Sequence, residues 1–283
     1  MIKLSAFSDE AASSLDGQIA ALTRNKIFYT ELRSIDGKNV KDFSLAYAKE
    51  VKKALFDNGI GVWAIGSPIG KVDINVDFST YLDEVKHVCE LANTFETDKI
   101  RMFSFFNAYD EENKVYDYLS KMVETARNHG VFLCHENEKE VFGDTAERVQ
   151  KLMENIEGLK FVYDPANFVQ VGEKAEKTLA MFHEKSEYFH IKDVIAATEE
   201  LVPAGYGDGN VLELIKRIEK DTVLTLEPHL AVFEGYASID NTVMKNKFEF
   251  KNNDEAFDFA VVSLKSLLEK AGYEEQEKGY VKR

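Results

Sequence analysis

Eight short apolar runs alternate with segments of helical length along almost the whole chain. No other feature limits the fold as much. The runs are "IKLSAF" (2–7), "IFYTELR" (27–33), "IGVWAIG" (60–66), "KIRMFSF" (99–105), "VFLCHE" (131–136), "LKFVYD" (159–164), "YFHIKD" (188–193) and "TVLTLE" (222–227). Their starts are about 25–40 residues apart, room for a strand, a helix and two connections. Several follow a turn signal, as in "DNGI" (57–60), "NHGV" (128–131) and "IEGLK" (156–160). Between them, residues 42–58 place Leu45, Ala48, Val51, Ala54 and Leu55 on one helical face. Residues 79–95 do the same with Leu82, Val85, Val88, Cys89 and Ala92. A helix over 116–130 ends on Gly130, and a last one, over 253–272, starts with acidic residues. The expected fold is α/β, a (β/α)8 TIM barrel, as one domain over 1–283. An open doubly wound sheet is the alternative, but its glycine-rich first turn is missing, because "SDEAASS" follows the first strand.

Composition narrows the partners. The net charge of −15 argues against the nucleic-acid backbone and against an anionic membrane surface. No run approaches the roughly 18 apolar residues of a membrane span. The start, "MIKLSAFSDE", lacks the apolar stretch of a secretory signal, so a cytoplasmic protein is expected. Cys89 and Cys134 lie in a helix-like and a strand-like run and read as reduced core residues.

In such a barrel, chemistry sits where strands end. Glu136 ends strand five, Asp164 ends strand six, His190 lies in strand seven and Glu227 ends strand eight. Neighbouring strands are about 5 Å apart, so four such side chains can converge over the barrel mouth. Three carboxylates there would repel one another unless a cation offsets them. An oxygen-rich set with one imidazole suits Mn2+, Mg2+ or Co2+, with Zn2+ a further candidate. Each residue alone also has a plainer reading. Asp164, just before Pro165, suits a helix N-cap, and His190 suits a hydrogen-bonded core position. His135 and Glu138 flank Glu136, so the ligand in that segment stays open.

The motifs "IGSPIGK" (65–71), "HEN" (135–137), "DPANF" (164–168), "HIKD" (190–193), "PAGYGDGNV" (203–211) and "LEPH" (226–229) carry a resemblance. Together they resemble the xylose isomerase-like (β/α)8 superfamily, which includes the ketose 3-epimerases, from "FSDE" through Glu227. The resemblance implies one divalent metal held by Glu136, Asp164, His190 and Glu227, with Mn2+ the expected ion. It further implies that Glu136 and Glu227 move a proton beside a carbonyl, through an enediolate, in a sugar or sugar phosphate. Lys71, Asn167, Lys192 and His229 lie in the same motifs and are the expected substrate contacts. Two departures stand out. Many epimerases carry histidine where this chain has Asn167, and the arginine that often follows the strand-seven motif has no match in "VIAATEELVPAG".

Other features are weaker. "AGYGDG" (204–209) lacks the lysine and spacing of a phosphate-binding loop and reads as a flexible loop beside the site. Lys71 is either a solvated loop charge or an anchor for an anion. Glu31 and Arg33 read as a structural ion pair, and Phe7 and Trp63 as core. Residues 232–253 form a long connection that could be a lid, a dimer contact or a hairpin. A homo-oligomer is left open. A polyol dehydratase is the neighbouring alternative function. An abasic-site nuclease of the endonuclease IV type shares the barrel, but it needs a larger ligand set than this chain offers. A barrel that binds a sugar or a partner without catalysis is the remaining class.

Overall fold

A computed structural model describes residues 1–233 and 245–283. Eight parallel strands form its centre: β1 (Ile2–Ala6), β2 (Tyr29–Leu32), β3 (Gly61–Gly66), β4 (Lys99–Met102), β5 (Phe132–Glu136), β6 (Lys160–Tyr163), β7 (Tyr188–Ile191) and β8 (Thr222–Leu226). Each pairs with the next, and β8 pairs with β1 from Ile2↔Thr222 to Ala6↔Leu226, which closes the barrel. All eight expected runs are strands. Residues pointing out of the barrel pack under helices, and those pointing in pack on one another, so β7 and β8 are buried throughout.

The surrounding helices are α1 (Leu15–Arg24), α2 (Leu45–Asp57), α3 (Phe78–Thr94), α4 (Glu112–Asn128), α5 (Ala146–Asn155), α6 (Ala175–Phe182), α7 (Val211–Lys216) and α8 (Asn253–Lys270). Their starts are chemically marked. Ser14, Ser44, Asp77, Thr145 and Asn252 each accept a backbone N–H with the side chain. The expected stripe of α3 is buried at Val85, Val88, Cys89 and Ala92. Burial of each large apolar side chain there stabilises the fold by about 1.5–3 kcal/mol at most. On α2 the stripe is shorter than expected: Ala48, Val51 and Leu55 are buried, but Leu45, in the first turn, is exposed.

Some features of the described residues lie outside the eight-fold pattern. The strands β9 (Tyr273–Gln276) and β10 (Gly279–Lys282) form a hairpin that joins β1 antiparallel at Ile2↔Tyr280. The register of β2 on β3 shifts between Thr30 and Glu31, a bulge of the kind that re-aims a side chain. Among the described residues no helix is long and apolar enough to cross a membrane. The lid, dimer-contact and hairpin readings of 232–253 fall largely on residues 234–244, which lie outside the described residues.

Candidate metal centre

Alternation along each strand turns every second residue into the barrel. Ala64, Cys134, Val162, Tyr188 and Val223 form one apolar layer there. Glu136, Asp164 and His190 each come two residues after a member of that layer, so they face the same interior one step nearer the mouth. Thr225 is the ladder partner of His190, and Glu227 stands one further step up.

The four side chains meet. Glu136, Asp164, His190 and Glu227 are all buried, and each offers an atom within 4.8 Å of the others. Ligands at about 2.0–2.6 Å from one cation lie at most about 4–5 Å from one another, so the spacing of the set is compatible with a single ion. The hydrogen bonding supports this fit. Asp164 Oδ2, His190 Nδ1 and Glu227 Oε2 are buried and have no hydrogen-bond partner among the described residues. His190 Nδ1 lies 2.9 Å from Glu136 Oε1 and 3.4 Å from Glu227 Oε2, so both carboxylates converge on this ring atom.

Asp164 is the helix N-cap its plainer reading expected, and its second oxygen is left over for the cluster. Oδ1 accepts the Asn167 N–H at 3.0 Å and caps the short helix Pro165–Gln170, while Oδ2 faces the cluster. Proline in the first turn needs no N–H partner and sets the backbone for that helix. Asn137 binds the Asp164 backbone twice, donating to its carbonyl at 2.8 Å and accepting its N–H at 2.9 Å. The ends of β5 and β6 are thereby fixed to each other.

The expected contact residues surround this set. Lys192 Nζ is 3.3 Å from Asp164 Oδ2 and 3.8 Å from Glu227 Oε2. His229 Nε2 is 3.5 Å from Glu227 Oε1 and 3.4 Å from Glu10 Oε1. Asn167 Nδ2 donates to Glu136 Oε1 at 3.3 Å and to the Asn137 carbonyl at 2.8 Å, so it orients the Glu136 carboxylate. Lys71 pairs with Glu138 at 3.0 Å and covers the Phe103 ring. Of the two neighbours of Glu136, His135 turns outward to Ser104 and burial pushes its imidazole down to about 3.

Several charged groups here were not expected. Glu31 and Arg33 do not form the anticipated pair. Arg33 takes Asp9 with Nε and Nη2, reaches Glu10 at 3.2 Å, and donates to Glu227 Oε1 at 2.9 Å. Glu31 accepts instead from Tyr188 and His190. Glu31 lies within β2 and Arg33 just past its end, at different depths of the barrel, so they bind different partners. Arg101 is also internal, with Nε 3.4 Å from Glu136 Oε2. A charge inside an apolar strand run was the available signal: "KIRMF" carries it openly. Phe7 is core, as expected, but its ring stands edge-on to His190 at 5.2 Å and 4.3 Å below the Arg33 guanidinium.

The electrostatics follow from this crowding. Burial pushes the Asp164 carboxyl up to about 7, against Lys192 and aided by Glu136 and Glu227. Burial likewise raises Glu10, to about 8 despite Arg33. Burial opposes charge on Glu227, but Lys192, His190 and His229 hold it well below the carboxylate range. Burial also disfavours a charged His190, yet Glu136 and Glu31 raise its pKa well above that of free imidazole. The site as a whole attracts positive charge.

The loop "AGYGDG" is held by a carboxylate. Asp193 accepts backbone N–H groups from Val194, Gly205, Gly207 and Gly209 at 2.8–3.1 Å. Its oxygens fill the cradle that an anion would otherwise need.

The sequence matches the xylose isomerase-like TIM barrel family over residues 27–242. The chain belongs to that family. Among curated proteins none matches it at a significant level. Solved structures share the fold at low identity. The IolI protein with a bound zinc atom is 18% identical, with a TM-score of 0.72 over 95% of this chain and 99% of that one. The probable 3-DHS dehydratase AsbF of Bacillus anthracis is 16% identical, with a TM-score of 0.71 over 94% and 99%. An L-ribulose 3-epimerase is 17% identical, with a TM-score of 0.69 over 96% and 97%. Solved structures with this fold thus include an L-ribulose 3-epimerase and a probable 3-DHS dehydratase. The buried acid and histidine set in this chain suits a divalent metal.

Proposed function

We propose that this barrel is a metal-dependent sugar epimerase or isomerase. One observation carries the reading: Glu136, Asp164, His190 and Glu227 are buried at the barrel mouth with ligand atoms within 4.8 Å of one another. The proposed cofactor is one divalent ion, Mn2+ first, because the donors are mostly carboxylate oxygens. Such an ion, when bound, polarises adjacent carbonyl and hydroxyl oxygens of the substrate.

The protein's own groups supply the proton transfers. Glu136 and Glu227 come from β5 and β8, with β6 and β7 between them, so they approach the substrate from two sides. One carboxylate takes the proton beside the carbonyl, and the other returns one on the opposite face of the enediolate. Asp164 and His190 lie between them as ligands only. Lys192 stands beside both Asp164 and Glu227, where its ammonium can donate to a substrate oxygen. Lys71, Asn167 and His229 complete the proposed substrate surround, and the partner is a small-molecule sugar.

Dehydration of a cyclic polyol is the second reading. It needs an acid for the departing hydroxyl, and the ammonium of Lys192 is suitably placed. The test is incubation of the Mn2+-loaded protein with a panel of ketoses and cyclic polyols in D2O. Deuterium entry next to the carbonyl supports epimerisation or isomerisation. Loss of water, read as a new conjugated carbonyl, supports the dehydratase. Neither change with any compound contradicts both.

A further inference from the structure

Glu31 is a fully buried carboxylate that the proposed chemistry leaves without a task. A buried charge is costly unless well paired, often by several kcal/mol. Its nearest guanidinium nitrogen, Arg101 Nε, is 3.9 Å away, too far for a hydrogen bond. Its two oxygens are instead spent on β7. Oε1 accepts from Tyr188 Oη at 2.9 Å, and Oε2 takes His190 Nε2 at 3.0 Å.

We propose that Glu31 is the positioning residue of the metal centre, fixing His190 with its proton on Nε2 and its Nδ1 lone pair toward the ligand cluster. A carboxylate only accepts, so Nε2 must carry hydrogen. Nδ1 is then the one ring atom left to bind a metal, and it is the atom 2.9 Å from Glu136 and 3.4 Å from Glu227. Tyr188 holds the second oxygen of Glu31, so the carboxylate cannot swing away. Phe7 and Tyr188 hold the ring by edge contacts at 5.2 and 5.6 Å. The register shift beside Glu31 in β2 belongs to the same device, since a bulge turns the side chain toward β7 across the barrel. A carboxylate behind a ligating imidazole also makes it a stronger donor, and such outer partners are worth about 10–100-fold in metal affinity.

This inference rests on the metal reading, and its test separates the two. Zn2+ is titrated calorimetrically into chelator-stripped wild type and into Glu31→Gln, which keeps shape and an acceptor oxygen but removes the charge. The expected result is binding weakened by about 10–100-fold in the variant. Histidine labelled with 15N in Zn2+-loaded wild type gives a readout that needs no variant. The ring whose Nδ1 signal moves on loading should keep a protonated Nε2. Equal affinity in the variant, or metal on Nε2 with the proton on Nδ1, overturns the role of Glu31 alone. No Zn2+ binding by the wild type overturns the metal reading with it.

Discussion

Arg33 donates to one oxygen of Glu227 at 2.9 Å, and the other oxygen of that carboxylate faces the acid and histidine cluster with no hydrogen-bond partner among the described residues. The same guanidinium is bound to Asp9 and Glu10, so one cation offsets three buried carboxylates. Removing it by Arg33→Met should destabilise the protein by about 3–5 kcal/mol, the usual cost of orphaning buried charge. Arg33→Lys should recover only part of this, because a single ammonium cannot reproduce the forked contacts. Urea denaturation of the metal-free proteins measures both. A change under about 1 kcal/mol in Arg33→Met would mean the cluster is not charged as described.

Much of the barrel was legible because eight strand runs and their spacing survive in a single sequence. Strand ends showed the candidate cluster for a simple reason: Asp164 and Glu227 interrupt apolar runs where solvent alone would not require a charge. What stayed hidden were partner choices. Glu31 and Arg33 are two apart in sequence and of opposite sign, which suggests a pair. Alternation gives them the same face but different depths, and their partners come from other strands. Asp9 and Glu10 look like ordinary turn acids, and only closure of β8 onto β1 places Glu10 beside Glu227. Asp193 was hidden similarly, because its backbone donors are supplied by a loop that folds back on it.

Roles within the proposed ligand set should differ. Glu136→Gln and Glu227→Gln each keep an oxygen ligand but lose the basic carboxylate. Each should retain much of the metal and lose at least about 100-fold in turnover, the scale of a lost general base. His190→Ala should instead lose metal first, with part of the activity restored by excess Mn2+. Metal content and rate, measured together, check this. Near-normal turnover in either glutamine variant contradicts the two-carboxylate mechanism.

Stability of the metal-free protein should fall as pH rises from 6.5 to 8. Glu10 has a folded pKa of about 8, above the ordinary carboxyl value of 4.5, so in this window the folded state binds the extra proton. Stability drops with pH wherever the folded state holds more protons than the unfolded one. Asp164, pushed up to about 7, and His190, raised by Glu136 and Glu31, act in the same direction. His135 and His183 act oppositely, but their contribution fades within about one pH unit above their ordinary value of about 6.5. Melting temperature against pH, with chelator present, gives the slope. A rise across this window would contradict the raised carboxyls.

Gly207 should not tolerate a side chain. A Cβ there would lie 2.4 Å from Asp193 Oδ1 and 2.6 Å from the Val194 carbonyl. Gly207→Ala should cost about 1–3 kcal/mol through overpacking and loosen the Asp193 clamp. Faster hydrogen exchange at the Gly205, Gly207 and Gly209 amides would report the loosening. Unchanged exchange and stability would show that the loop does not depend on this close approach.

The most direct test of the account is a calorimetric titration of Mn2+ into chelator-stripped protein, repeated for Asp164→Ala and His190→Ala. The account predicts one ion per chain in the wild type. In each variant affinity should fall by more than about 100-fold, beyond the range for an outer partner. No stoichiometric binding by the wild type, or binding undiminished in both variants, would contradict a metal centre built from Glu136, Asp164, His190 and Glu227.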